Sequence, residues 1–250
     1  MQALVKAQQR AVPYENVSKL MLLGSGRIGI PTFEEFIFNL EKYRFGGTCY
    51  VQNGHFSRLL SELGFEAYLV ASNSDKVENT HAAVRVKVGS EQFIIDLGLF
   101  STFSGIFPLI PGNVVELDIP SMKYRFTALP EELSYKIEVF RNGNLSRSHR
   151  SNGIPCALES FNEVIKSTFK KDAIFMKTIV THLVFEEGPA ALWGKVLYVT
   201  KGSKIEKFEF KNIDELVLAY QNQFNLSKYP VRQAVEILQK QIGVNLFHGD

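Results

Sequence analysis

Residues 80–97 read Thr-His-Ala-Ala-Val-Arg-Val-Lys-Val-Gly-Ser-Glu-Gln-Phe-Ile-Ile-Asp-Leu, and they alternate as two strands around a tight turn. Gly89-Ser90 suits a two-residue turn with glycine first, the II′ kind, which fixes how the two strands pair. Counting outward from this turn puts His81 and Asp96 on one face of the sheet as diagonal neighbours, roughly 7–8 Å apart at Cα. A four-residue turn in the same register gives the same result, whereas a three-residue turn would put them on opposite faces.

The opposite face of this hairpin is apolar. It carries Ala82, Val84, Val86, Val88, Phe93, Ile95 and Leu97. We therefore expect the sheet to bury this face and to keep His81 and Asp96 on the other. A carboxylate inside Phe-Ile-Ile-Asp-Leu is costly to bury without a partner, which favours the pairing with histidine.

A cysteine precedes a predicted helix that ends at Leu63. The stretch Arg44-Phe45-Gly46-Gly47-Thr48-Cys49 has two glycines, which allow a tight turn and close backbone approach. The first amides of the helix point at the sulfur, and their partial positive charge favours a thiolate. A thiolate nucleophile needs a base and an orienting acid, so Cys49, His81 and Asp96 are the predicted catalytic residues.

The other cysteine and the other histidines have simpler interpretations. Cys156 has no neighbour that suggests activation, so we interpret it as an inert core residue. His55 follows on the same predicted helix as the nucleophile, but on a different face. His182 has no suitable partner nearby in the sequence, and we expect His149 and His248 at the surface.

Composition indicates a globular chain. Of 250 residues 45% are hydrophobic and 22% are charged, enough for one compact unit or two to three small domains. The net charge is +2 without a basic block, and no window approaches a membrane span, so neither nucleic acid nor membrane is an expected partner. No CxxC or HExxH occurs, so we expect no metal. Two cysteines and the absence of an apolar leader favour the cytoplasm.

The distribution of patterns along the chain predicts an α+β fold. Residues 1–64 are mainly helical and carry the nucleophile; one helix starts with Thr32 and Glu35 as a capping box. Residues 65–155 contain short alternating segments and turn signals, typical of a small antiparallel barrel or sandwich, and of these we predict an antiparallel β-barrel that carries the histidine and the aspartate. Residues 156–250 mix helices and strands as an α/β lid. Together they would form a cysteine-protease-like Cys-His-Asp core.

Several segments resemble arylamine N-acetyltransferases, in that family's order, over most of the chain. These are Pro13-Tyr14-Glu15-Asn16, Arg44-Phe45-Gly46-Gly47-Thr48-Cys49 with Asn53, Leu63-Gly64-Phe65, Thr80-His81, Ile95-Asp96-Leu97-Gly98, and Ile213-Asp214-Glu215-Leu216 with Phe224-Asn225-Leu226. The resemblance implies the family's fold and its chemistry, in which acetyl passes from the co-substrate acetyl-CoA to the cysteine. The thioester then gives acetyl to an arylamine or hydrazine by a ping-pong route.

The resemblance also implies where this chain departs from its family. Leu99 stands where the family places an aromatic residue against the acceptor, and Phe100 replaces a glycine near CoA. Tyr14 replaces the usual phenylalanine, and Val51 replaces a glutamate that would complete a helix cap. Tyr14, Leu99 and Phe100 are therefore the predicted substrate-binding residues. For the CoA phosphates the resemblance gives only a weak candidate, the loop 71–79.

Two alternatives stay open at this point. The same Cys-His-Asp set serves amide synthases, transglutaminases and cysteine proteases, so another acyl transferase or a hydrolase is one alternative. A degenerate member that binds ligand without turnover is the other. The oligomeric state is not fixed by the sequence, and a homodimer is left open.

Overall fold

The computed structural model describes residues 1–98, 105–119, 122–131 and 133–247, and these form an α+β fold. The chain divides into two compact units. The first comprises Met1–Lys6 and Cys49–Val164, and the second comprises Ala7–Thr48 and the chain from Ile165 onward. The three-part division at residues 64 and 155 stays a prediction.

The elements follow in this order. The helices are α1 Gln2–Ala11, α2 Val17–Gly24, α3 Phe33–Tyr43, α4 Cys49–Glu62, α5 Asn162–Ser167, α6 Ile213–Asn222 and α7 Val231–Ile237. The strands are β1 Tyr14–Glu15, β2 Glu66–Ser72, β3 His81–Val88, β4 Glu91–Ile95, β5 Ile106–Pro108, β6 Val114–Ile119, β7 Met122–Ala128, β8 Tyr135–Arg141, β9 Asn144–Ser151, β10 Val180–Val184, β11 Pro189–Trp193, β12 Val196–Lys201 and β13 Lys204–Glu209. Short 3₁₀ turns cover Leu158–Phe161 and Ile174–Met176, and a π-helical turn, Leu238–Ile242, follows α7. None of the described helices is both long and apolar enough to cross a bilayer.

Two four-stranded antiparallel sheets build the first unit, in the orders β2-β3-β4-β5 and β6-β7-β8-β9. Helix α4 packs on one face of the first sheet. The buried apolar side chains in this layer include Phe56, Leu60, Val84, Val86, Ile95 and Leu97. The other face of the first sheet packs on the second sheet, where three aromatic rings stack: Phe107, Phe126 and Tyr135.

The predicted hairpin register is confirmed. Strands β3 and β4 pair with Val88 opposite Glu91 and Val84 opposite Ile95. The predicted apolar face is the one that packs on α4. The face that carries His81 is also largely buried, because the second sheet covers it through Ala83 and its neighbours. Both faces of this sheet therefore contribute to the core.

The predicted closed β-barrel is wrong, because both sheets are open. Among the described residues, no ladder joins β2 to β9, and the bridges next to them, Val70↔Pro155 and Asn73↔Arg150, are isolated pairs. Strand β5 has three residues and ends at Pro108. Proline has no N–H for a ladder, so pairing stops at such positions. Alternation and turn signals in a sequence do not distinguish a closed barrel from two facing sheets.

The second unit contains one five-stranded antiparallel sheet, in the order β1-β10-β11-β12-β13. Helices α2, α6 and α7 pack with it around an apolar core. Its fully buried members include Leu20, Leu183, Leu192, Leu197, Leu216, Tyr220 and Phe224. The predicted capping box of α3 is confirmed, since Thr32 Oγ1 accepts from the Glu35 amide and the Glu35 carboxylate accepts from the Thr32 amide.

His182 is buried in this sheet, and its burial makes the stability of the folded chain depend on pH. Burial lowers the pKa of His182 to about 4, so between pH 6.5 and 4 the unfolded chain takes up a proton that the folded chain does not. The contribution of His182 to the free energy of unfolding is therefore fully present at neutral pH, and it is lost as the pH falls through that window. From pH 7 to pH 5 wild type should lose about 2 kcal/mol more than His182→Gln.

Urea unfolding of both proteins at the two pH values measures this difference. Because other titrating groups are shared, they cancel in the comparison. Equal losses in the two proteins would show that His182 does not stay neutral in the folded chain.

Candidate active site

Cys49 is the first residue of α4, and its side chain is buried within the first unit. The turn before it needs glycine, since Gly47 has a φ of +88°, a conformation that residues with a Cβ adopt at a cost. The thiol therefore sits at a helix N-terminus, where the helix dipole favours negative charge.

His81 and Asp96 come together as the hairpin count predicts. His81 Nε2 lies 2.6 Å from Asp96 Oδ2. Because a carboxylate only accepts, Nε2 carries the proton and donates it, which leaves Nδ1 as the unprotonated nitrogen of the neutral ring. The His81 side chain also hydrogen-bonds to Cys49, so the three predicted catalytic residues form one connected series.

The charges of this series decide the protonation of His81. Burial lowers the pKa of the imidazole, but the negative charges of Asp96 and Cys49 and the hydrogen bonds to both raise it, and the pKa ends well above its ordinary value. The position of His81 between Asp96 and Cys49 therefore stabilises the imidazolium form.

Backbone and side-chain donors hold the Asp96 carboxylate, which is fully buried. Its Oδ1 accepts from the Gly98 amide at 2.8 Å and from Asn53 Nδ2 at 3.3 Å. Its other oxygen, Oδ2, is thus left for His81. Two donors on one oxygen and the imidazole on the other fix the carboxylate's orientation.

Asn53 has a role that the residue pattern did not reveal. It lies one helical turn after Cys49 and is fully buried. Besides Asp96, its Nδ2 donates to the Ala82 carbonyl at 2.7 Å, and its Oδ1 accepts from the Leu97 amide at 3.0 Å. One amide side chain therefore ties the nucleophile's helix to both strands of the hairpin.

Tyr50, next to the nucleophile, ties α4 to the loop that leads into β3. Its hydroxyl donates to the Asn79 carbonyl at 3.0 Å, and its ring contacts Phe161 with a centroid separation of 5.3 Å. Burial raises the pKa of this hydroxyl, and the Cys49 charge raises it further, so the hydroxyl stays protonated and keeps donating.

Gly98 brings the backbone against all three groups. A Cβ built on it would lie 2.7 Å from Cys49 Cβ, 2.8 Å from His81 Cε1 and 3.1 Å from Asp96 Oδ1. Only a residue without a side chain leaves this space to the reacting groups.

A histidine predicted at the surface lies beside this set. His149, on β9, is half-buried, and its ring centroid is 5.7 Å from that of His81. Its Nδ1 is 3.3 Å from Thr80 Oγ1. His149 is less exposed than predicted, because Arg150, its neighbour on β9, bridges to Asn73 and this brings His149 near Thr80 at the start of β3. His248 lies outside the described residues.

Of the three predicted substrate-binding residues, the structure describes one, Tyr14. Tyr14 lies on β1 in the second unit, where it is buried and its ring contacts Phe175 edge-on at 6.1 Å. Leu99 and Phe100 lie outside the described residues. The neighbour of Tyr14, Glu15, is fully buried and accepts from the Gly46 and Gly47 amides at 3.1 and 2.7 Å. This carboxylate fixes the glycine turn within the second unit.

The described residues contain no group of three or more His, Cys, Asp or Glu side chains that could hold a metal. A thiol, a base and an orienting carboxylate are in contact, so the site can support nucleophilic chemistry with acid–base assistance.

Comparisons with known proteins show the family and the fold of this chain. A curated arylamine N-acetyltransferase from Mycolicibacterium smegmatis is 31% identical over a segment that covers 38% of this chain and 38% of that protein. The match thus spans well under half of the curated relative.

Solved structures show the same fold. An N-arylamine acetyltransferase of Mycobacterium smegmatis superposes with a TM-score of 0.74 at 20% identity, covering 98% of this chain and 91% of that one. The Mycobacterium marinum enzyme in complex with CoA gives a TM-score of 0.73 at 18% identity, with 96% and 90% covered. A Bacillus cereus arylamine N-acetyltransferase with a unique Cys-His-Glu catalytic triad gives 0.69 at 18% identity, with 90% of each chain covered.

The profile of the N-acetyltransferase family matches residues 1–229, which is most of the chain. With the shared fold and the curated relative, this match settles the assignment. The chain belongs to the arylamine N-acetyltransferase family.

Proposed function

We propose that this protein is an acetyl-CoA-dependent N-acetyltransferase that carries acetyl on Cys49 and delivers it to an arylamine or hydrazine. The observation that supports this most is the hydrogen-bonded series of Cys49, His81 and Asp96 at the start of α4, in a chain of this family. Acetyl-CoA is the proposed donor, since a relative with the same fold binds CoA.

In the first half-reaction, His81 accepts the proton of Cys49. The thiolate attacks the carbonyl carbon of acetyl-CoA, a new C–S bond forms, and the bond to the CoA sulfur breaks. The imidazolium returns its proton to the leaving CoA thiolate. Asp96 keeps the proton of His81 on Nε2 throughout, so the Nδ1 lone pair stays available to the thiol.

In the second half-reaction, the amine nitrogen attacks the acetyl-Cys49 thioester. His81 takes one amine proton, the N–C bond forms, and Cys49 leaves as a thiolate. The product is the N-acetylated amine, and the thiolate and imidazolium are ready for the next cycle. Burial of Cys49 and His81 strengthens the electrostatic interactions on which both steps depend.

Substrate binding is proposed at Tyr14, Leu99 and Phe100, as the family resemblance implies. Leu99 in place of an aromatic residue supports an acceptor range different from that of typical members. We keep the proposals of a small-molecule acceptor, of no nucleic-acid or membrane partner, and of a cytoplasmic location. The family match gives no support to the hydrolase, amide synthase or non-catalytic alternatives.

Steady-state kinetics test this function. With acetyl-CoA and 4-methoxyaniline both varied, we expect N-acetyl product and parallel double-reciprocal lines, because CoA leaves before the amine reacts. Cys156→Ser is the control, since Cys156 is half-exposed and its thiol hydrogen-bonds to backbone, donating to the Leu69 carbonyl. Intersecting lines would indicate direct transfer without an acyl-enzyme, and absence of product with any arylamine or hydrazine would contradict the proposal.

A further inference from the structure

A second imidazole lies next to the His81 ring, and the mechanism above does not use it. His149 stands 5.7 Å from His81 between ring centroids, with the rings tilted by 34°. Both residues belong to the first unit. His149 is half-buried, so part of the residue is exposed.

The partners of Thr80 identify the tautomer of His149. The Thr80 hydroxyl lies 3.3 Å from the Ser72 carbonyl, 3.0 Å from the Ser74 amide and 3.3 Å from His149 Nδ1. A hydroxyl has one hydrogen and two lone pairs. The carbonyl can only accept that hydrogen and the amide can only donate to a lone pair, so all three partners are satisfied when Nδ1–H donates to the second lone pair.

This tautomer leaves Nε2 of His149 with a lone pair. Among the described residues, no group forms a hydrogen bond with this nitrogen. Burial and the positive charges of His81 and Arg147 together lower the pKa of His149 to about 4, against an opposing effect of Asp96. Near neutral pH the ring is therefore uncharged, and Nε2 is a hydrogen-bond acceptor beside the base.

We propose that Nε2 of His149 accepts a hydrogen bond from the amine that attacks the acetyl-Cys49 thioester, which makes His149 an acceptor-binding residue. The inference rests on the proposed function. Arylamines and hydrazines all carry N–H donors, and one of those hydrogens must go to His81 in the attack. A second acceptor close to His81 can hold another N–H and turn the nitrogen lone pair toward the carbonyl carbon. No proton is transferred to His149.

The two half-reactions separate this role from a structural one. Acylation is measured with p-nitrophenyl acetate, a donor without any N–H, as the burst of p-nitrophenolate. Aminolysis is measured by mixing the acetylated protein with 4-methoxyaniline and following loss of the acetyl mass. Acylation by acetyl-CoA is measured in parallel, because the CoA chain contains amide N–H groups of its own.

Two substitutions of His149 test the roles of its two ring nitrogens separately. An asparagine amide overlaps the Nδ1 position and can keep the Thr80 contact, whereas a glutamine amide reaches the Nε2 position. We expect His149→Asn to slow aminolysis about five- to tenfold, because one hydrogen bond to the amine is lost. The same variant should change acylation by no more than about twofold. His149→Gln should recover aminolysis to within about threefold of wild type. Ser146→Asn, an exposed change on the same strand, should leave both steps unchanged.

Several outcomes would overturn the inference. One is that His149→Asn slows both steps by the same factor, which would indicate a role in holding His81. Another is that it slows only acylation by acetyl-CoA, which would assign His149 to the donor. Unchanged aminolysis in both variants would also overturn it. If wild type forms no acetyl-enzyme from either donor, the proposed function fails and the inference fails with it.

Discussion

Asp96→Asn is expected to leave the fold intact and to lower acyl transfer by about 10³- to 10⁴-fold. The reason lies in the two donors on Oδ1, the Gly98 amide and Asn53 Nδ2. They require an oxygen at that position, so the new NH₂ group of asparagine must face His81. His81 Nε2 would then have to accept, its proton would move to Nδ1, and the thiol would lose the lone pair that takes its proton.

Steady-state kcat/KM with acetyl-CoA and an arylamine measures this loss, and thermal unfolding measures the fold. Asp118→Asn is the matched control, since this carboxylate lies on the surface of the same unit in an ion pair with Lys123. Activity of Asp96→Asn within tenfold of wild type would contradict the assigned role of Asp96.

Gly98→Ala is expected to lower the acylation rate by about 100-fold or more. The added Cβ would lie 2.7 Å from Cys49 Cβ and 2.8 Å from His81 Cε1, distances that carbon atoms do not adopt. The backbone or the Cys49–His81 pair must therefore move, and a displacement of about 1 Å at a reacting pair costs roughly this factor. Backbone strain is not the cause, because Gly98 is not among the residues with positive φ.

The burst of p-nitrophenolate from p-nitrophenyl acetate reports this rate. Gly54→Ala is the control, since it adds the same methyl group to α4 in the same unit. The three atoms nearest to its Cβ would belong to the Leu158 side chain, and the closest is the terminal Cδ1 at 3.0 Å. If Gly98→Ala had a burst rate close to that of Gly54→Ala, a methyl group would fit beside the Cys49–His81 pair, and the close contacts described above would be contradicted.

The hairpin is the part of the fold that the sequence determines best. Its register depends on local facts, a two-residue glycine turn and strict alternation, and these are enough to bring His81 and Asp96 together.

Besides the two-residue β1, three strands were not predicted, each for a physical reason. β9 is polar on both faces and has no apolar alternation, so only its pairing with β8 makes it a strand. β5 has three residues, ending at a proline. β11 begins at Pro189 and continues with two alanines, which have low strand preference. Pairing with neighbours overrides local preference in all three.

The residues of the candidate site divide in a similar way, into those that short-range sequence patterns predict and those that only tertiary contacts bring together. Cys49, His81 and Asp96 could be predicted from a helix start and a hairpin, which are short-range features. The position of His149 beside them could not, because His149 lies 69 residues along the chain from Thr80, and a tertiary contact brings the two together. The family resemblance singled out Asn53 without a role; its contacts with Ala82, Asp96 and Leu97 supply one.

The measurement that tests the central claim most directly is the intact mass of the protein after incubation with acetyl-CoA and no acceptor. Wild type and Cys156→Ser should each gain one acetyl group, and Cys49→Ser should gain none. Adding an arylamine to the acetylated protein should then restore the original mass. No adduct on wild type, or an equal adduct on Cys49→Ser, would contradict acyl transfer through Cys49.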